Sequence, residues 1–417
     1  MSIGYLTRPL PFALAGLLLL AALAPAQQTS TGWVQLSAAK GDIELPNSGT
    51  QQTSATVFDI DGDGLNDFVI TERTKAPAVT WFQRGKSGWK RHVLDAESLR
   101  PEAGSTFGDV DGDGDLDFIS GADGGGPAGN QVWWWENPAP TSDPALPWKR
   151  HVIKNSGGRK HHDLLFADVD GDGKKELVFW NQGGLRLMLA RVPADPRSSS
   201  EWPLFEIFSY TRDSEQEQRA TAPPFKSTNE HEGLAFTDID LDGKPDIVGG
   251  GLWFKHLTGD RFLRNEIDGS YHFSRSGAGQ LIEGGRPEVV LVVGDGVGPL
   301  MLYEWLKGTW KSRVLVESID NGHSLSLLDF NHDGHLDIFC AEMRLNGTNP
   351  ESKTYVLLGD GKGNFEKTIV AIGFDNHESK IADLDGDGTY DILGKPYNHL
   401  TPALNIWLNP RGVKSAK

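Results

Sequence analysis

One nine-residue pattern of alternating acids and glycines recurs six times, and it constrains the fold more tightly than any other feature of the chain. It runs from Asp59 to Asp67, Asp109 to Asp117, Asp168 to Glu176, Asp238 to Asp246, Asp329 to Asp337 and Asp383 to Asp391. Self-similarity spaced by tens of residues marks an array in which each unit buries its apolar face against its neighbours. Positions 1, 3 and 5 carry Asp59, Asp61 and Asp63; Asp109, Asp111 and Asp113; Asp168, Asp170 and Asp172; Asp238, Asp240 and Asp242; Asp329, Asn331 and Asp333; Asp383, Asp385 and Asp387. Alternate acids converge on one point where intervening glycine lets the backbone turn tightly. Position 9 (Asp67, Asp117, Glu176, Asp246, Asp337, Asp391) returns a further carboxylate. Such an oxygen cage suits a hard cation, so about six Ca2+ ions are expected.

The EF-hand calcium loop opens in the same way but demands a bidentate Glu at position 12 and a helix on each side. Position 12 here is Ile70, Ser120, Phe179, Gly249, Cys340 and Gly394 in turn. The flanks are short strand-forming runs, such as Thr56-Val57-Phe58 before the first loop and Phe68-Val69-Ile70 after it, so each loop joins two strands. A seventh copy, Gln280 to Glu288, keeps Gly285 at position 6 and the strand Val289 to Val293. It has lost the alternating acids and is expected to be metal-free.

Each unit has a second half, an aromatic strand, a turn, and a strand led by an aromatic residue. Examples are Val79 to Phe82 with Trp89 to Val93, Val132 to Trp135 with Trp148 to Ile153, and Leu302 to Trp305 with Trp310 to Val316. Four strands per unit make a propeller blade, so the expected fold is an all-β, seven-bladed β-propeller. The last unit ends after its third strand, Asn405 to Leu408, while the orphan segment Gly32 to Leu36 matches the missing fourth. The N-terminal strand is therefore expected to close the ring, which removes two open sheet edges.

The D-x-D-G-D-G-x-x-D loops between strands resemble the FG-GAP/VCBS repeats, which form integrin-alpha-type propellers and many secreted bacterial propellers. The resemblance covers about residues 32 to 410. It implies the fold and says little about activity. The His-Glu and His-Asp pairs ahead of several loops are similar to the propeller domain of aldos-2-ulose dehydratases and to propeller polysaccharide lyases, which implies sugar elimination chemistry.

Residues 1 to 26 read as a secretory signal, with Arg8, an apolar run from Phe12 to Leu23, and Ala24-Pro25-Ala26 as the cleavage site. A single propeller domain is expected over 27–410, with a tail at 411–417, in a protein that is secreted or periplasmic. No later segment is apolar enough to span a bilayer. The net charge of -17 argues against nucleic acid or an anionic membrane as partner. The lone Cys340 allows no intramolecular disulfide.

Five of the 12 histidines fall at one register, six or seven residues ahead of a loop: His161, His162, His231, His323 and His377. Acids follow directly in three units, as Asp163, Glu232 and Glu378. This register starts the first strand of each blade, which lines a propeller's central channel. Six residues at about 3.3 Å each place it roughly 20 Å from the calcium loops, on the opposite face. The second strands exit toward that same face, carrying Glu72-Arg73, Asn181-Gln182, Glu342 to Arg344 and Lys395 to His399. Three readings stay open: a hydrogen-bonded plug, a metal-free polar pocket, or a site for Zn2+ or another transition metal held by His162, His231, Glu232, His323, His377 and Glu378. Adjacent register positions point to opposite sides unless a bulge intervenes, which sets His231 against its neighbour Glu232.

Two functions follow from this funnel. One is a carbohydrate lyase or dehydratase, with His162, His323 or His377 as base, Arg344 and Lys395 as charge stabilisers and Tyr397 as proton donor. The other is a non-catalytic propeller that binds glycan or protein through the rim, with Trp133 to Trp135 either a stacking platform or core. No G-x-S-x-G elbow or H-E-x-x-H pair occurs in the chain.

Overall fold

The computed structural model describes residues 1, 27–138, 146–211 and 230–409; the expected signal segment and tail lie outside the described residues. The described residues form seven antiparallel sheets. Blade 1 comprises Gln52–Phe58, Asp67–Glu72, Val79–Arg84 and Trp89–Asp95. Blades 2 to 5 repeat this four-strand meander, beginning at Thr106, His161, Ala235 and Ser274. Blade 6 begins with Ser324–Leu328 and blade 7 with Lys380–Ala382. First strands of successive blades lie side by side around the axis.

The N-terminal strand closes the ring as expected. Val34–Ser37 pairs antiparallel with Asn405–Leu408, with Val34 opposite Leu408 and Ser37 opposite Asn405, so blade 7 takes its outer strand from the other end of the chain. The arm does more than the sequence suggests. Gln28–Thr29 adds a fifth strand to blade 6, opposite Ala371 and Ile372, and Thr29 accepts a hydrogen bond from the Trp407 indole at 3.2 Å. One arm thereby ties blades 6 and 7 together.

The apolar residues gather into seven clusters, one for each interface between neighbouring blades. A second strand buried on both faces reads as a continuous apolar run, as in Val289 to Val293, because each of its faces meets a neighbouring sheet. Trp133, Trp134 and Trp135 are fully buried and split by alternation between two interfaces. They are core, and a stacking platform at these three positions is ruled out. With the apolar mass between blades, the axis is left to polar side chains.

Deleting residues 27–37 should expose the edge of Asn405–Leu408 and unpack Leu36 from its cluster. The expected cost is at least about 2–3 kcal/mol, seen as a lower melting temperature and increased light scattering. Unchanged melting would refute the closing role of the arm.

Candidate functional site

The two faces of the ring carry different chemistry. On one face, positions 1, 3 and 9 of the acidic loops converge: the side-chain oxygens of Asp59, Asp61 and Asp67, of Asp109, Asp111 and Asp117, of Asp168, Asp170 and Glu176, and of Asp238, Asp240 and Asp246 lie within 4.8 Å of one another in each loop. Position 5 has a separate job. Asp63, Asp172, Asp242, Asp333 and Asp387 each accept the backbone N–H two residues on, at 2.8 to 3.0 Å, which fixes the turn.

Position 9 is more than a ligand candidate. Asp67 accepts the N–H of Ile60 at 3.2 Å and of Arg84 at 2.5 Å, and Asp391 accepts those of Leu384 and Asn409 at 2.9 and 2.8 Å. Asp117, Asp246 and Asp337 repeat the bridge from loop to third strand. Glu288 holds the N–H groups of Leu281 and Ile282, both at 2.9 Å, in the loop that lacks the other acids. Burial pushes Asp67, Glu176 and Asp391 up to about 7 and Asp117 up to about 8.

On the opposite face the first strands do not run straight. The residue five before each loop takes a left-handed backbone in four blades: Gly104 (φ 81°), Asp163 (φ 45°), Gly233 (φ 79°) and Glu378 (φ 56°). In blade 3 the pairing slips between His162 and Leu164, so Asp163 is a bulged residue. The bulge lets His162 and Asp163 both reach the channel, which alternation forbids. A Cβ on Gly233 would sit 2.5 Å from the Ser274 carbonyl oxygen, so that position admits only glycine. Non-glycine residues in this region cost about 1–3 kcal/mol each, and the channel supplies the compensation: the Arg275 guanidinium donates to both Asp163 and Glu378.

Arg275, at the same register in the loop-poor blade 5, is the central residue that the histidine count misses. It is 5% exposed and joins blades 3, 5 and 7 across the axis. From it runs a chain of alternating charge. Asp163 accepts from Arg275 and lies 2.9 Å from His162 Nδ1, and His162 Nε2 lies 3.1 Å from Glu232 Oε1. Burial alone would depress the imidazole, but the Glu232 and Asp163 carboxylates override it and hold His162 up at about 9. These three residues also meet the distance condition for a metal site. The fit is poor, because both ring nitrogens are engaged by carboxylates and an imidazolium has no lone pair to give a metal.

Above this chain, at the channel mouth, is a cavity of about 110 Å³ whose lining includes His162, Glu232, His323, His377 and Tyr397. Asp295 holds His323 Nε2 at 3.0 Å. The His377 ring stacks on Tyr397 with centroids 4.7 Å apart and lies 5.0 Å from the His323 ring. Arg73 donates to the Tyr397 hydroxyl at 3.0 Å and pairs with Glu102. Lys160 pairs with Glu230 at 2.7 Å. Burial raises the Tyr397 phenol above its ordinary value against the pull of Arg73. Burial, then the Lys395 charge, keep His377 well below the usual imidazole range.

The other sequence candidates lie elsewhere. Lys395 was expected at the rim, yet it is fully buried, donating to the carbonyls of Gln52, Thr53 and His377 at 3.0, 3.1 and 2.6 Å and stitching blade 7 to blade 1. Arg344 turns away from the cavity lining toward the carbonyls of Thr348 and Gly373, at 3.3 and 3.4 Å. His231 packs on Tyr210, His272 and Trp180, with centroids 3.9, 4.5 and 5.2 Å away, while its neighbour Glu232 takes the channel. Glu378 lies beyond Arg275, against Lys380 at 3.0 Å and in a separate cavity. Glu102, Lys160, Glu230 and Asp295 carry no histidine signal, although Glu102 stands seven residues ahead of its loop.

Because the His162 proton is held more tightly in the folded than in the unfolded chain, its contribution to stability is complete below pH 6.5 and is lost as the pH rises through about 9. Chemical denaturation should show a loss on the order of 3 kcal/mol between pH 6 and pH 10, and His162→Gln should flatten that slope. An equal slope in the variant would overturn the assignment.

A family model for FG-GAP-like repeats matches residues 59–120 and 109–179. No curated protein matches the chain. Among solved structures, it is similar to the crystal structures of BBS1N in complex with ARL6DN, soaked with mercury (11% identity, TM-score 0.50, 91% of this chain and 97% of that one) and soaked with lead (12% identity, TM-score 0.51, 91% and 98%). At that identity the likeness is one of fold alone. Residues 59–179 therefore carry FG-GAP-like repeats, and the described residues as a whole form a seven-bladed β-propeller.

Proposed function

We propose that this protein is a secreted, calcium-stabilised propeller whose channel mouth binds a carbohydrate and carries out elimination on it. The observation that carries the reading is the pairing of His323 with Tyr397 across one cavity. His323 directs Nε2 to Asp295 at 3.0 Å, which puts the proton on Nε2 and leaves Nδ1, buried and without a protein partner among the described residues, as a lone-pair base. Tyr397 accepts from Arg73 and keeps its own O–H to donate. Elimination needs these two groups and a substrate carbonyl beside the carbon that loses its proton: His323 Nδ1 takes that proton, the C–C double bond forms, and the C–O bond one carbon further on breaks as Tyr397 protonates the departing oxygen. His377, with Nδ1 facing the Lys395 ammonium at 3.2 Å, is a neutral imidazole suited to orienting substrate hydroxyls.

A cavity of about 110 Å³ falls below the several hundred that hold a drug-sized ligand, so it takes one sugar unit with the remainder at the rim. That restriction also suits the second reading, a non-catalytic propeller that grips a glycan end. Calcium belongs to the other face. The converging loop carboxylates, pushed upward by burial, are costly to ionise together, and a divalent ion offsets that cost.

Turnover of a glycan panel, followed by absorbance of the unsaturated product, tests the enzyme reading. His323→Gln and Tyr397→Phe should each lower kcat by about 10²–10⁴ with little change in binding. Binding without turnover by the unaltered protein would leave the second reading. For calcium, a chelator should lower the melting temperature and added Ca2+ should restore it; identical melting curves would refute the loop assignment.

A further inference from the structure

Residues that line the cavity carry acceptors unmet by the protein. Glu102 Oε1 is taken by Arg73 and by the Ala103 N–H at 3.0 Å, and Glu232 Oε1 by His162 and by Gln182 Nε2 at 3.1 Å. The second oxygen of each carboxylate has no protein partner among the described residues, nor has His323 Nδ1. All three residues line the same cavity, and they are 4%, 2% and 4% exposed. Burial pushes the Glu232 carboxyl upward against the pull of His162 and Arg275. Ionised, it and Glu102 present only lone pairs, and Nδ1 gives up the proton when Nε2–H donates to Asp295, so each of these atoms is an acceptor. A buried acceptor left unmet costs about 1–3 kcal/mol.

The charges point the same way. Arg73, Lys160 and His162 face Glu102, Glu230, Glu232 and Asp295, so three cations meet four carboxylates around the cavity. The cations are already paired: Arg73 with Glu102, Lys160 with Glu230 and His162 with Glu232. Just behind them the charges balance, Asp163 and Glu378 against Arg275 and Lys380. A carboxylate or phosphate on the ligand would meet unpaired oxygens of its own sign with no free cation at hand.

We infer that the channel-mouth site takes a donor-rich, neutral or amine-bearing sugar unit and rejects acidic sugars, with Glu102 and Glu232 as its specificity-determining residues. This inference rests on the carbohydrate reading above and narrows it, setting uronic acids outside the substrate range and leaving elimination to sugars that carry a ketone or aldehyde beside the carbon that loses its proton. An ammonium on the ligand would satisfy both free carboxylate oxygens and cancel the excess charge, whereas a hydroxyl would satisfy them without cancelling it.

The test is ligand-observed NMR titration of the full protein with matched neutral, 2-amino and uronate sugars in the gluco, galacto and manno series. In whichever series binds, the order should be amine, then neutral, then uronate, with at least about tenfold between the ends. Glu102→Gln and Glu232→Gln each keep an acceptor and remove a charge, and should shrink that span several-fold, whatever they do to the neutral-sugar affinity itself. Asp295→Asn, at a side chain 24% exposed, removes one lining charge and keeps the test available if the buried variants fail to fold. A uronate that binds as tightly as its neutral partner overturns the inference and leaves the carbohydrate site standing. Absence of binding in all three series overturns the carbohydrate reading itself, and this inference with it.

Discussion

A buried carboxylate at the ninth position of each loop anchors every blade. It sits at the start of the second strand, at most 2% exposed in all seven blades, and accepts the N–H at the loop's own beginning in each. Where the residue is Asp it also takes an N–H from the end of the third strand; the longer Glu176 takes the Arg191 guanidinium of that strand at 3.1 Å instead, and Glu288 grips the loop's backbone. The bond therefore sets where the first strand ends, where the second begins and how the third returns. Blade 5 keeps it after losing the acids at positions 1, 3 and 5, which separates this structural role from any cation binding. Burying a carboxylate is costly unless its lone pairs are met, and two N–H groups meet most of them. The cost that remains appears as the upward pressure on these acids, which the neighbouring loop acids intensify.

The ring then turns this regularity into a difference between faces. Seven interfaces among the described blades take the apolar residues, so the first strands present their polar side chains to the central channel. There the chain uses charge as other folds use packing. Arg275 bridges Asp163 and Glu378 from three blades, and Lys395 spends its ammonium on main-chain carbonyls of blades 7 and 1. Both side chains brace the first strands, Arg275 through the left-handed Asp163 and Glu378 and Lys395 through the carbonyls of Gln52, Thr53 and His377. The bulge at Asp163 and the left-handed Gly233 bring His162 and Glu232 within 3.1 Å, so the floor of the cavity and the clasp of the ring form one charge network. The groups left for a ligand, His323, Tyr397 and the free oxygens of Glu102 and Glu232, stand on top of it.

Much of this could be read in advance, because the loops repeat at fixed positions and side-chain alternation in a strand has period two. The repeat located six loops and a relic. The missing fourth strand of blade 7 and the orphan Trp33-Val34-Gln35-Leu36 could be matched because a propeller has one place for each. The histidine register located the channel and three residues of the cavity. It misled at His231 and Glu378, since a left-handed residue just ahead of the first strand, Gly233 in one blade and Glu378 itself in the other, breaks the alternation on which the register relies. It missed Arg275 and Asp295, because a pattern built on histidines passes over a partner of another type in the one blade that breaks the repeat. Lys395 and Arg344 look like rim cations in the sequence, where nothing reveals that nearby carbonyls claim them.

By itself, then, the sequence determined the array: the number of blades, the loops between first and second strands, the closing strand and the face on which histidines gather. These follow from local periodicity and from the rule that a sheet edge must find a partner. Only the tertiary structure decided which of the gathered side chains meet. Residues 163, 275 and 378 lie more than a hundred positions apart and converge because the ring brings three blades to a common axis, where a single guanidinium satisfies two strained carboxylates at once. Contact across the channel depends on bulges and on charge neutralisation at the axis, and neither leaves a period in the chain.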